Sequence, residues 1–330
     1  YYFGKIGLRY PKARDLFNIL FKKNNRKKFN ISNSKINFPS FFFLPPINFL
    51  FNVMNKKIFL NKYLSRFLKI NEIIIHFYQP TKLIFDIINF FKKHGIKIKV
   101  VYDCVQDYRF HPSTNSELIS FENKLVKLAD LVVADSKINY DRLKGINSKL
   151  LVVQPGVETS NFFINPKKIK NSTVSIIYYG NIRQDLDFEL LNGLSYCDNI
   201  KITLLGNLNY PKNKLSKKII LKDAIPYKKL KTEIEKHDAV ILPYKLNDFT
   251  SAIIPAKFFE CLATNMPIIS TSMKATKKYH HLLYLIDKNS LPINIKKLND
   301  TVSTSNLKER NEIIKNKSWK EKFNEFYNEI

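Results

Sequence analysis

At 330 residues the chain is long enough for two domains of ordinary size, each with its own core, which excludes a single small domain. Its 45% hydrophobic and 13% aromatic content fit a globular protein, and no run reaches the roughly 18–20 apolar residues needed to span a bilayer. The net charge of +27 invites a polyanion, but Lys outnumbers Arg 47 to 8, with no Arg cluster, RNP-type aromatic motif or C-x2-C…H-x3-H spacing, so nucleic acid is excluded as a partner and an anionic membrane surface is kept.

Residues 1–70 show only weak periodicity. Within them Phe38 to Met54 (FPSFFFLPPINFLFNVM), broken by Pro45-Pro46, Asn48 and Asn52, reads as a buried strand and loop or as a surface that touches lipid. The chain opens on Tyr1 rather than Met, which leaves the completeness of its first domain open, and no secretion signal is read there. Cys104, Cys197 and Cys261 are odd in number, far apart and each in an apolar run. That usage points to a reducing cytoplasm and against a disulfide frame or zinc site.

From residue 71 onward short Ile/Val-rich runs alternate with amphipathic stretches, the pattern of βαβ units in a parallel sheet. Strands are predicted at Glu72–Phe77, Lys97–Cys104, Leu131–Ala134 and Lys149–Val153, with helices at 81–94, 115–129 and 136–144 between them. Residues 158–173 are polar, aperiodic and contain Pro166, so the interdomain linker is placed there. The alternation then restarts: strand Val174–Tyr179, helix 186–196, strands Lys201–Leu205 and Lys218–Leu221, helix 226–236, strand Ala239–Leu242, a helix from Ile254, and strand Pro267–Ser270. A polar helical tail carries Trp319, expected to anchor it. The predicted class is α/β, two Rossmann-like doubly wound domains: 1–160, a linker at 161–173, 174–304, and a tail at 305–330.

One segment, IPAKFFECLATNMPIIST from Ile254 to Thr271, carries charge on a greasy helix. Phe258, Phe259 and Leu262 share one side, while Lys257, Glu260 and Thr264 form an i, i+3, i+7 stripe on the other. Pro255 suits the first turn, and Asn265 is expected as a left-handed cap before Pro267. The helix begins after the strand end Leu242-Pro243-Tyr244, where open α/β sheets bind ligands, and its free N–H groups suit a diphosphate. On spacing alone, Lys257 and Glu260 fit a phosphate cation and a hydroxyl acceptor, or equally a surface ion pair.

The run ILPYKLNDFTSAIIPAKFFECLATNMPIIST resembles the donor-site segment of the GT-B glycosyltransferases of the group one, family four set, P-x-K-x-x-E-x-x-A-x-G-x-P-[VI]-[VI]. Lys257, Glu260, Ala263, Pro267, Ile268 and Ile269 match it. Tyr178-Tyr179-Gly180-Asn181-Ile182 with Leu186 to Leu191 is similar to the first strand and helix of that family's C-terminal domain. Ala129 to Ser136 (ADLVVADS) and Gln154 to Glu158 with Asn161-Phe162-Phe163 look like two further family elements. Together with Val101 to Tyr108, these segments are closest to the branch of teichuronic-acid and other surface-polysaccharide transferases, over about residues 97 to 290.

The resemblance implies two domains facing across a cleft, a sugar nucleotide on the C-terminal one, Glu260 on the ribose hydroxyls, and Lys257 with the helix N-terminus at the diphosphate. It gives the donor site as Gly180, Asn181, Arg183, Pro243, Tyr244, Ile254, Lys257 and Glu260. Two departures stand out. The first Glu of the family's E-x7-E falls at Ala252, and the cations that often follow the strand-end Gly are Asn181 and Leu186, so Arg183 is considered a substitute. Asp185-Leu186-Asp187 reads as D-x-D, but its place at a helix start favours capping over metal. Asp103 and Asp107, just past a strand end, are candidate bases for an acceptor hydroxyl, or else a turn cap and a solvated carboxylate.

These expectations describe a cytoplasmic glycosyltransferase, retaining and metal-independent, using a UDP- or GDP-linked sugar with no cofactor. Its acceptor is a glycan or lipid-linked precursor, reached peripherally at the inner membrane face. The alternative is a homologue that has lost catalysis and serves as a glycan-binding or scaffold subunit.

Overall fold

The computed structural model describes residues 49–50, 53–54, 56–57, 64–111 and 116–330. Most of Phe38–Met54 lies outside them. Its described residues, 49–50 and 53–54, are helical rather than extended, so the expected strand does not form there. The chain divides into two compact units: residues up to 102 with 111–130, and 103–110 with 131–330.

In the first unit β1 (Glu72–Phe77) pairs in parallel with β2 (Lys97–Cys104), from Glu72 opposite Lys97 to Phe77 opposite Tyr102. The crossover is α1 (Lys82–Lys93), which buries Leu83, Ile84, Ile87, Ile88 and Phe91, one helical stripe in an otherwise polar sequence. Helix α2 (Ser116–Leu128) buries Leu118, Leu125 and Val126, and its buried Glu122 accepts a 2.8 Å hydrogen bond from the Tyr102 hydroxyl.

The second unit opens with β3 (Leu131–Ala134), α3 (Lys137–Leu143) and β4 (Leu150–Val152), the two strands parallel. A six-stranded sheet follows, built from β5 (Val174–Tyr179), β6 (Ile200–Leu205), β7 (Ile220–Lys222), β8 (Ala239–Leu242), β9 (Ile268–Ser270) and β10 (Tyr284–Leu285). Every pairing in it is parallel, and its order is β10-β9-β8-β5-β6-β7. Numbered from β5, that is the doubly wound order 3-2-1-4-5-6, whose direction of winding reverses between β5 and β8. The carboxyl ends of those two strands therefore flank the crevice where such folds place ligands.

The central strands are buried at every position but half-buried Ser175, which is why VSIIYY, AVIL and IIS lack polar alternation. Side chains alternate between two cores. Ile177 and Tyr179 face α7 (Ala256–Ala263), whose Phe258, Phe259 and Leu262 fill one of them. Ile176 and Tyr178 face α4 (Phe188–Ser195), which supplies Phe188, Leu190, Leu191 and Leu194 to the other. At about 1.5–3 kcal/mol for each large side chain removed from water, these two layers set the position of both helices.

Helix α7 ends as its sequence indicates: Asn265 takes the left-handed conformation at φ 56°, and β9 follows directly. The remaining helices are α5 (Leu230–Ile234), α6 (Asp248–Ser251), α8 (Ile295–Asp300), α9 (Thr304–Lys315) and α10 (Trp319–Tyr327). Trp319 covers Gly156, where a Cβ would lie 2.8 Å from the indole, although 57% of the side chain stays exposed. Among the described residues no helix is long and apolar enough to cross a membrane.

Candidate functional site

The candidate donor residues collect at the reversal point of the six-stranded sheet. Helix α7 packs on the Tyr179 face, yet Lys257 reaches the ring of Tyr178, which belongs to the opposite core. Its Nζ donates to the Tyr178 hydroxyl at 3.1 Å and sits 4.3 Å from the centre of that ring, with the Tyr179 ring 5.6 Å away. The ammonium thus crosses the carboxyl end of β5, and it crosses at Gly180. A Cβ there would lie 2.5 Å from Nζ. Gly180 also holds φ +118°, which other residues rarely adopt.

Beneath it lies Gly206, at the end of neighbouring β6 with φ +147°. A Cβ on Gly206 would fall 1.9 Å from the Gly180 carbonyl oxygen. The two strand ends therefore touch backbone to backbone, and hydrogen bonds from Gly180 N to Leu205 O and from Ile182 N to Asn207 O continue their pairing. Sequence reasoning passed over Gly206. Its only signal is a glycine immediately after the apolar run KITLLG.

Glu260 is half-buried one turn along α7 from Lys257. Burial pushes its carboxyl above the ordinary value, against the pull of Lys257 and of the Tyr179 hydroxyl. Tyr227 lies nearby, its phenol raised first by burial and then by the Glu260 charge. Among the ion pairs of the described residues Lys257 and Glu260 do not appear together, so the surface-pair reading of the i, i+3 spacing does not describe them. The site carries a cation parked on a tyrosine ring and a desolvated carboxylate with lone pairs for hydroxyl donors.

The other expected donor residues are distributed unevenly around this point. Asn181 is exposed; its carbonyl accepts from the Tyr178 hydroxyl at 3.0 Å, and its Oδ1 accepts from Asn207 Nδ2 at 3.5 Å. Arg183 is paired with Asp185 at 2.9 Å, so its charge is answered within its own loop. Asp187 caps α4 by accepting from Leu190 N at 3.0 Å, and Leu186 is fully buried. Both carboxylates of the D-x-D triplet thus have local structural work. Pro243 and Ile254 are buried, Ile254 within the α7 core, so they present backbone only. Tyr244 is half-buried, and burial together with adjacent Tyr178 drives its phenol well above the ordinary value.

Asp103 and Asp107 follow β2. Asp103 is half-buried, whereas Asp107 is not solvated: it is 2% exposed. Its carboxylate accepts from Arg109 Nε, Nη2 and backbone N, and Arg142 Nε stands 3.7 Å away. Burial alone would raise this carboxyl, but the Arg109 bonds and the Arg142 charge outweigh it and hold it below the ordinary value. So engaged, Asp107 is a poor proton acceptor and a good anchor for its turn.

A neighbouring carboxylate behaves in the opposite way. Asp135, 6% exposed at the end of β3, accepts from Asn139 Nδ2 at 2.9 Å. Burial pushes its carboxyl up to about 7, and the Asp103 charge adds to this against the hydrogen bond from Asn139. With the folded value above the ordinary 3.8, the stability it contributes is full below about pH 4 and is lost as pH rises through 7. Asp135→Asn is therefore expected to be more stabilising at pH 8 than at pH 5 by about 2 kcal/mol, read from thermal unfolding at the two values.

Comparison with known proteins supports this reading of the fold. Sucrose-phosphate synthase from Thermosynechococcus elongatus superposes with a TM-score of 0.60 at 10% identity, over 83% of this chain and 78% of that one. HepE from Anabaena, solved with UDP and glucose, gives 0.58 at 11% identity, over 77% and 76%. The chain has the GT-B fold, with two Rossmann-like domains. In sequence it is similar to a protein provisionally described as the teichuronic acid biosynthesis glycosyltransferase TuaH of Bacillus subtilis strain 168, with 26% identity over 207 residues. That match takes in 54% of this chain and 52% of TuaH, so the chain spans about half the length of the curated relative it matches. No protein-family profile matches the chain.

Proposed function

We propose that this protein is a glycosyltransferase that moves a sugar from a nucleoside-diphosphate donor to a glycan or lipid-linked acceptor in surface-polysaccharide synthesis. The observation that carries the proposal is Lys257 crossing the end of β5 at Gly180, with half-buried Glu260 one turn away, at the switch point of a doubly wound sheet. A diphosphate laid over Gly180 meets the Lys257 ammonium and the free N–H groups that open α7. Because negative charge builds on the leaving diphosphate as the glycosidic bond breaks, these groups stabilise the transition state more than the ground state.

Tyr178 keeps the ammonium in place before substrate arrives, so little reorganisation is needed at the moment of reaction. Glu260 accepts hydrogen bonds from the ribose hydroxyls. Asp103 is the better of the two candidate bases for the acceptor, since Asp107 is committed to arginines. With Lys257 as the cation at the diphosphate, the reaction is proposed to run without a metal and with retention. The HepE complex with UDP and the teichuronic-acid description of TuaH favour a uridine donor and an envelope acceptor.

The net charge of +27 supports work at an anionic inner membrane face, at about 1 kcal/mol for each lysine near the surface. A thermal-shift screen against nucleoside diphosphates, followed by an assay for free sugar released from the matching sugar nucleotide, tests the proposal. A shift with UDP or GDP and slow sugar release are expected. A shift without release favours the binding-subunit reading, and no shift with any nucleotide overturns the transferase proposal.

A further inference from the structure

Helix α7 is held from a direction that the donor-site motif does not mention. Ser136 Oγ, fully buried, donates a 2.6 Å hydrogen bond to the carbonyl of Ala252. Asn139, also fully buried, directs its Nδ2 at the same oxygen at 3.5 Å and at Asp135 Oδ1 at 2.9 Å. Ala252 is the C-terminal cap of α6 and stands three residues before Pro255, the N-terminal cap of α7. Its carbonyl is one of the acceptors a helix end leaves without an intrahelical partner, and here side chains from the first turn of α3 take it up. The contact joins residues 116 positions apart in sequence.

The amide of Asn139 is informative. Its Oδ1 is buried with no hydrogen-bond partner among the protein atoms. A buried, unpaired acceptor is costly, and what the side chain gives in return is its NH2, which spans Asp135 and the Ala252 carbonyl. Asp135 orients that amide, and Ser136 supplies the shorter bond. The result is a hook on the four-residue link from α6 into the helix that carries Lys257 and Glu260.

We propose that Ser136 and Asn139 are positioning residues for the donor helix: by fixing the Ala252 carbonyl they set where α7 begins and hence where Lys257 and Glu260 stand. This rests on the donor-site reading of α7 for its functional consequence, but the hook itself can be examined without any nucleotide. Ser136 also caps α3 by accepting from Asn139 N at 3.3 Å, so Ser136→Ala removes a cap as well as the hook. Asn139→Leu leaves that cap in place, and Ser136→Thr preserves both bonds.

Hydrogen exchange in the unliganded protein is the first readout. The amides of residues 253, 254 and 256–260 should exchange severalfold faster in Ser136→Ala and Asn139→Leu than in the wild type, while Ser136→Thr should match the wild type. Exchange unchanged in both loss variants overturns the hook. Calorimetry with UDP and GDP is the second. For the nucleotide that the wild type binds, both loss variants should weaken Kd about tenfold, with Ser136→Thr restoring it. Faster exchange with unchanged Kd overturns the positioning role. Faster exchange in a protein whose wild type binds neither nucleotide overturns the donor-site reading and leaves the hook standing.

Discussion

Gly206→Ala is expected to cost more than about 4 kcal/mol, enough to leave much of the protein insoluble or unfolded at 37 °C. Two effects act together. At φ +147° an alanine is strained whatever space surrounds it, and the added methyl would lie 1.9 Å from the Gly180 oxygen and 2.7 Å from its carbonyl carbon. Those atoms are backbone, fixed by the pairing of β5 with β6, so no rotamer change relieves the overlap. Gly180→Ala makes a useful contrast. Its methyl meets the far end of the Lys257 side chain, which can swing away. That variant should fold with a loss near 1–2 kcal/mol from strain alone while displacing the ammonium. Urea unfolding of both variants checks the difference, and equal stabilities would show that the contact between the two strand ends is not rigid.

Arg310→Ala has the second largest expected effect. Arg310 is fully buried in α9, and its guanidinium donates to the Met266 carbonyl at 2.7 Å and the Leu282 carbonyl at 2.6 Å. Met266 precedes β9 and Leu282 precedes β10, so one side chain ties the tail helix to the loops that lead into both strands. Burial lowers its pKa to about 10, still charged at neutral pH. Truncation opens a cavity and leaves two buried acceptors unsatisfied, together about 4 kcal/mol. Arg310→Lys keeps the charge but loses the fork, so it should recover only part of this. Denaturant midpoints for the two variants test the ordering, and wild-type stability in Arg310→Ala would remove α9 from the account of the fold.

Much of the architecture is readable in the chain because its central strands are buried on both faces. Runs such as LVVA, VSIIYY and AVIL stand out from their polar flanks, and β1, β2, β3, β5 and β8 fall on the predicted residues. Short elements escape this logic. Strand β10 has two residues and α6 four, too few to show any period, and α8 with six is hardly better. The helix expected over 226–236 begins as a 3-10 turn at Tyr227–Lys229 and becomes α-helical only over Leu230–Ile234.

The site divides in the same way. Spacing along one helix brought Lys257 and Glu260 together, and the left-handed Asn265 followed from its place before Pro267. What surrounds them depends on distant partners: Tyr178 is 79 positions from Lys257, and Ser136 is 116 from Ala252. Local patterns carry no record of such pairings. Charge was also misleading where geometry decided the outcome, since Arg183 is neutralised by Asp185 and Asp107 is buried among arginines instead of solvated.

The most direct test of the account is calorimetry of UDP and GDP binding, and of their sugar conjugates, to wild type and to Glu260→Ala. The wild type should bind one of them, and the variant should show no heat at the same concentrations while keeping its thermal midpoint. Unchanged affinity in Glu260→Ala would contradict the placement of the nucleotide at the switch point, and with it the proposed transferase.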